Sequence, residues 1–230
     1  MKTIGLIGGM SWESSAEYYR LINQETKRRL GGQHNARSLL LTVDFAEVEQ
    51  LQHAGQWGQL GVTLADASRQ LERGGAECVL LCTNTMHKLA DSIISAAAIP
   101  LLHIADAVAE AIQLAGHRRV GLLGTRFTME EPFYSGRLQQ KFGIEAIVPP
   151  PADRAVIHRV IYEELCHGVI REESRVTFQS IIARLADEGA ESVILGCTEI
   201  GLLISQADSP LPVHDSTRLH AYAAVEFALG

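Results

Sequence analysis

Lysine is scarce in this chain, with only four, at positions 2, 27, 88 and 141, and the formal net charge is −7. No basic run or face stands out, which argues against a partner carrying a phosphate backbone. A Schiff-base role for Lys88 has no motif behind it. Cysteine is equally sparse. Cys78, Cys82, Cys166 and Cys197 form no CxxC pair, and no histidine stands at zinc spacing around them. A chain of this length needs no disulfide staples, so the thiols read as reduced and the protein as cytoplasmic. HxH and HExxH patterns are missing, and no metal site is expected. Gly8-Gly9 opens neither GxGxxG nor GxxxxGK[ST], which leaves nucleotide binding without support. No apolar run is long enough to span a bilayer. The first apolar run breaks after Ile7 and reads as a strand rather than a signal peptide.

What is present is repetition. Gly75-Ala76-Glu77-Cys78-Val79-Leu80-Leu81-Cys82-Thr83-Asn84-Thr85 is echoed by Gly189-Ala190-Glu191-Ser192-Val193-Ile194-Leu195-Gly196-Cys197-Thr198-Glu199. Without a gap, Cys82 aligns with Gly196, Thr83 with Cys197 and Asn84 with Thr198. Ile4-Gly5-Leu6-Ile7-Gly8 and Val120-Gly121-Leu122-Leu123-Gly124 echo each other at nearly the same separation. Two echoes at one spacing of half the chain imply a duplication, and the period suits two α/β halves rather than a solenoid.

Strand-like and helix-like patterns alternate throughout. Ile4–Ile7, 38–43, 79–82, 120–123, 144–148, 193–195 and 211–213 read as strands, several of them continuous apolar runs of the kind buried in parallel sheets. Stripes such as Leu60, Leu64, Ala67 and Leu71 mark the helices between them. Ser11 is placed as a helix N-cap, and 44–53 reads as a loop. The fold class is α/β, with two pseudo-symmetric Rossmann-like domains built on parallel sheets and a cleft between them. One half spans 1–104 with 211–230 and carries the Thr83 turn; the other spans 105–210 and carries the Cys197 turn.

Both echoed turns follow strand carboxyl ends, where open α/β sheets bind ligands. Cys197 lies between a strand end and a helix start, a setting that lowers a cysteine pKa from about 8.5 to about 3.5–7.5. Cys78 and Cys166 read as inert buried thiols, as does Cys82 at its strand end. His87 reads as a surface or core histidine. His103 and His214, each following a strand, are more open to a role.

These residues carry a resemblance. Ile4-Gly5-Leu6-Ile7-Gly8-Gly9-Met10-Ser11-Trp12-Glu13-Ser14, the turn Asn84-Thr85-Met86-His87 and Val193–Ile200 together resemble the cofactor-independent aspartate/glutamate racemases over the full length. The resemblance implies an isomerase that removes and returns a Cα proton on L-Asp or L-Glu, with no cofactor, commonly as a homodimer with no nucleic acid or membrane partner. It implies Thr83 and Cys197 as the catalytic positions. Met10, Gln52, Asn84, Thr85, Thr198 and Glu199 would be substrate-binding residues, and His167 would meet the distal carboxylate.

The family usually places cysteine at both catalytic positions. Here the first holds Thr83. An alcohol pKa near that of water, about 15.7, against about 8.5 for a thiol leaves a gap of roughly 10 kcal/mol. Thr83 therefore cannot stand as an alkoxide base at neutral pH, although it can donate or relay a proton. Cys82, one residue away, points to the opposite face of its strand. Two other readings stay open: a cofactor-independent decarboxylase or maleate-type isomerase on the same scaffold, and a binding protein without the chemistry.

Overall fold

The computed structural model describes all 230 residues, Met1–Gly230. In chain order the elements are β1 (Ile4–Gly8), α1 (Trp12–Leu30), β2 (Ser38–Thr42), α2 (Phe45–His53), α3 (Trp57–Arg73), β3 (Cys78–Leu81), α4 (Ala90–Ile94) and α5 (Ile104–Leu114). They continue as β4 (Arg119–Gly124), α6 (Arg126–Glu130), α7 (Pro132–Phe142), β5 (Glu145–Ile147), α8 (Pro151–Glu163) and α9 (Glu172–Asp187). The last are β6 (Ser192–Gly196), α10 (Ile200–Leu203), β7 (Val213–Asp215) and α11 (Ser216–Leu229). The chain divides into two units, residues 1–103 with 220–230 and residues 104–219. No helix is long and apolar enough to cross a membrane.

The first unit is built on a three-stranded parallel sheet in the order β2-β1-β3. Successive residues of a strand face opposite ways, and the two faces bury separate clusters. Ile4, Leu6, Leu80 and Cys82 pack with Tyr18 of α1 and with Ala221, Ala224 and Val225 of α11. Ile7, Val79 and Leu81 pack with Leu60 and Leu64 of α3 and with Met10 and Met86. Each large aliphatic side chain so buried is worth about 1.5–3 kcal/mol.

The second unit holds a four-stranded parallel sheet, β5-β4-β6-β7. One cluster gathers Leu123, Val193 and Leu195 with Ile157, Ile161, Phe178 and Ile181 of α8 and α9. The other gathers Val120, Leu122 and Ile194 with Val108 and Ile112 of α5 and Tyr134 and Leu138 of α7.

The echoed Gly-Ala-Glu segments do the same work in both units. Gly75 and Gly189 take φ of 91° and 90°, a conformation that favours glycine. The next amides, of Ala76 and Ala190, donate to the carbonyls of Leu71 and Leu185, each at 3.0 Å, closing the preceding helix. Glu77 then donates its amide to Thr3 O at 2.8 Å, and its Oε2 accepts from Thr3 N at 2.7 Å. Glu191 donates its amide to Arg119 O at 2.8 Å, and its Oε2 accepts from Arg118 N and Arg119 N at 2.6 and 2.8 Å. The helix starts after the first strands match too. Ser11 accepts from Ser14 N, and Thr125 accepts from Thr128 N, each at 3.3 Å.

Several elements differ from their sequence-based reading. Residues 45–53 form α2 rather than a loop, with Asp44 Oδ1 accepting from Ala46 N at 3.0 Å as the N-cap. β2 is an edge strand and leaves Leu40 exposed despite its apolar run. The strand near 213, assigned to the first half, pairs with β6 instead, Val193 opposite Val213. Of the segment after 211, residues 220–230 belong to the first unit.

The central strands approach closely through glycine. A Cβ on Gly5 would lie 2.8 Å from both Ala76 Cβ and Cys78 O, whereas one on Gly121 would first meet the movable end of Leu185 at 2.9 Å. Gly5→Ala should therefore destabilise the protein by about 1–3 kcal/mol, and Gly121→Ala by clearly less. Urea denaturation of the two variants checks this, and equal losses would contradict it.

Candidate active site

In the first unit β3 runs into Cys82, Thr83 and Asn84, followed by a 3-10 turn over Thr85–Leu89. Thr83 N donates to Leu81 O at 2.8 Å and His87 N to Asn84 O at 3.1 Å, so the chain turns sharply where the sheet ends. Thr83, Asn84, Thr85, Met86 and His87 are all buried. His87 Nδ1 lies 2.8 Å from Thr83 O. A carbonyl only accepts, so this nitrogen carries the proton and pins the Thr83 carbonyl. The ring centroid of His103 lies 4.6 Å from that of His87.

Cys82 belongs to the core rather than to this turn. It is wholly buried in the cluster with Leu80, Tyr18 and α11, and burial pushes its thiol far above the ordinary range. Met10 and Gln52 do come together with the turn: Met10 packs in the cluster containing Met86, and Gln52 Nε2 lies 3.1 Å from Met86 Sδ. Gln52 is carried there by α2.

In the second unit β6 runs through Gly196 into Cys197. A Cβ on Gly196 would lie 2.8 Å from Leu123 O, so this strand end tolerates no side chain. The Cys197 thiol donates to Glu199 Oε2 at 2.9 Å, and Thr198 Oγ1 donates to the same oxygen at 2.6 Å. Cys197, Thr198 and Glu199 are buried. The Cys197 pKa is raised well above its ordinary value, first by burial, then by the charge of Glu199 and the neighbouring Cys166. This overturns the expectation of a thiol acidified by a helix start. α10 spans only Ile200–Leu203, and its N-terminal field is outweighed by a buried carboxylate.

Cys166, read as inert, reaches the same group: its Sγ lies 3.8 Å from Glu199 Oε1. It sits in the 3-10 turn Leu165–His167 after α8, so only tertiary structure brings the two thiols to one carboxylate. His167, the adjacent residue, is exposed. A further acid was not singled out by its sequence. Glu13, in the first turn of α1, has Oε2 buried with no hydrogen-bond partner. No group of three or more His, Cys, Asp or Glu side chains is arranged to hold a metal ion.

Two parallel sheets, each ending in a buried polar turn after an equivalent strand, give the chain a duplicated two-unit α/β architecture. A family model described as Asp/Glu/hydantoin racemase matches residues 7–224, and the chain belongs to that family: it is an isomerase of the amino-acid racemase type. A crystal structure of a Yersinia pestis protein, provisionally called an Asp/Glu racemase, is 52% identical over the full length of both chains, with a TM-score of 0.93. An aspartate racemase homologue from Pyrococcus horikoshii OT3 is 35% identical over the full length of both, with a TM-score of 0.85. A broad-specificity amino-acid racemase from Bacillus subtilis is 22% identical over 170 residues, 70% of this chain and 69% of that one.

The Cys197–Glu199 pair makes a direct expectation. Because the Glu199 charge raises the Cys197 pKa, Glu199→Gln should lower it, moving the pH midpoint of Cys197 alkylation by iodoacetamide downward. Labelled-peptide mass spectrometry reads that midpoint for Cys197 alone. A midpoint unmoved or raised would show that the carboxylate does not control the thiol.

Proposed function

We propose that the protein interconverts the enantiomers of aspartate, glutamate or both by cofactor-independent proton exchange at Cα. Cys197 is the base toward the L substrate, and Thr83, or a water it holds, is the proton donor on the other face. The observation that carries this reading is the 2.9 Å contact between the Cys197 thiol and Glu199.

A thiol held protonated must lose its proton before it can act as a base. Loss to solvent would leave two negative charges at about that contact distance, a repulsion on the order of 6 kcal/mol at an effective dielectric near 20. Transfer to Glu199 keeps the cluster at one negative charge. The thiolate then removes the Cα proton, and a proton arriving on the opposite face completes inversion. Glu199→Gln should thus make the thiol more acidic yet lower turnover, a combination that a purely structural role would not produce.

Once protonated, Glu199 cannot also hold the α-ammonium by charge, so of its two candidate roles we assign it the proton-accepting one. The buried, partnerless Oε2 of Glu13 suits the ammonium. Asn84, Thr85 and Thr198 offer donors to the α-carboxylate, with Met10 and Gln52 lining the same site and His167 meeting the distal carboxylate. We further propose a cytoplasmic homodimer, which sedimentation would test.

With one thiol, the two directions differ in rate although the equilibrium ratio of enantiomers stays near unity. Deuterium incorporation at Cα in D₂O should be readily seen from L-aspartate or L-glutamate and be much slower from the D forms. Cys197→Ser should abolish exchange. Thr83→Cys should raise exchange from the D side most. Equal exchange from both enantiomers in the wild type, unchanged by Thr83→Cys, would remove Thr83 from the mechanism.

A further inference from the structure

By sequence His87 reads as a surface or core histidine, yet its ring is tied to the turn that carries Thr83. The Thr83 backbone is held at both of its polar groups. Its amide donates to Leu81 O at 2.8 Å, and its carbonyl accepts from His87 Nδ1 at 2.8 Å. Together these bonds fix the two peptide planes that flank Thr83, and with them the direction in which its side chain leaves the backbone. His87 is only 2% exposed, and in such a setting a hydrogen bond is electrostatically stronger than in water.

A second layer supports the histidine. The ring centroids of His103 and His220 lie 4.6 and 5.7 Å from that of His87. His220 is wholly buried and tied at both nitrogens. Its Nε2 donates to Leu102 O at 2.7 Å, and its Nδ1 meets Tyr18 Oη at 2.7 Å. Tyr18 comes from α1 and His220 from α11, so distant stretches of the first unit converge behind one carbonyl. Filling this space alone would not require a hydrogen-bond donor at position 87; holding the Thr83 carbonyl does. The second unit is built otherwise. Carried two residues further, the echo of the two turns sets Gly201 against His87. The Cys197 carbonyl accepts instead from the backbone amide of Ile200, at 3.1 Å. The side-chain clamp therefore belongs to the hydroxyl turn and has no counterpart at position 201.

A hydroxyl depends on placement. Its pKa is close to that of water, about 15.7, so it gives up a proton only along a well-aligned path, and a misplacement of about 1 Å can cost about a hundredfold in rate. We propose that His87 is a positioning residue: by holding the Thr83 carbonyl it aims the Thr83 hydroxyl at the face of Cα opposite Cys197. This inference rests on the assignment of Thr83 as proton donor made above. His87 itself exchanges no proton with the substrate.

The test measures initial L-to-D inversion of aspartate and glutamate, with the pH midpoint of Cys197 alkylation as a control for the rest of the protein. His87→Leu removes the donor and should lower kcat for inversion at least about tenfold, with the Cys197 midpoint unmoved. His87→Asn keeps an N–H on Cγ, where Nδ1 stands, and should stay within about threefold of the wild type. His87→Gln carries its amide one bond further out and should behave like His87→Leu. Should His87→Leu not fold, the comparison of His87→Asn with His87→Gln decides. The gain in D-side exchange expected of Thr83→Cys should disappear when His87→Leu is added to it. Inversion retained in His87→Leu, or lost equally in His87→Asn, would overturn the positioning role. So would a Cys197 midpoint that moves along with the loss, since that marks a general disturbance. A folded wild type that inverts neither acid would overturn the proposed function, and this inference with it.

Discussion

The carboxylate clasp at the foot of each central strand pair is the constraint on which much else rests. Glu77 and Glu191 each donate a backbone amide to the start of the neighbouring strand and accept in return through the side-chain carboxylate. Parallel strands have no hairpin to set their register, and here a glutamate performs that function. With the register set, Ile4 lies opposite Cys78 and Val120 opposite Ser192. The strand ends then fall where they must: β3 delivers Thr83 and β6 delivers Cys197 at equivalent points of their sheets. A slip by one residue would turn the apolar faces over and exchange Cys82 for Thr83 at the turn.

On this repeated scaffold the chemistry is unequal. The first unit turns a buried hydroxyl out of the sheet and sends the adjacent thiol into the core. The second places its thiol on a carboxylate. The same low-dielectric burial has opposite consequences in the two places. For Cys82 it makes ionisation inaccessible. For Cys197 it holds the proton in a short contact with a group that can accept it. Burial alone thus does not set the two thiols apart; the carboxylate beside Cys197 does.

Much of the architecture was legible because the central strands are continuous apolar runs ended by glycine. The two echoed motifs exposed the duplication, and the placement of Thr83 and Cys197 at strand ends followed from strand periodicity alone. The Ser11 cap was legible in the same local way. The misreadings share a cause, since each was decided beyond the local pattern. α2 carries few apolar residues around Val48, so its stripe is thin, and its signal lay in the Asp44 cap. β2 looks like an interior strand but ends up at an edge. The short run at 211–213 gives no hint of which sheet it joins. At the site, the nearness of Cys166 to Glu199 and the isolation of Glu13 Oε2 arise from tertiary packing. The raised pKa of Cys197 reversed an inference from sequence position, because burial first, and then a carboxylate two residues away, outweigh one short turn of helix.

The first unit is assembled from two distant stretches of chain. Its core needs Ala221, Ala224, Val225 and Ala228, while the second unit runs without interruption from 104 to 219. During synthesis the ribosome therefore releases everything required for the second unit before the first can close. The β1-β3 sheet, with Ile4, Leu6 and Leu80 on one face, must wait for residues 220–230 to be covered. Domains generally form as units in the order they emerge; here the later segment finishes first, and the earlier one is exposed longest to premature association.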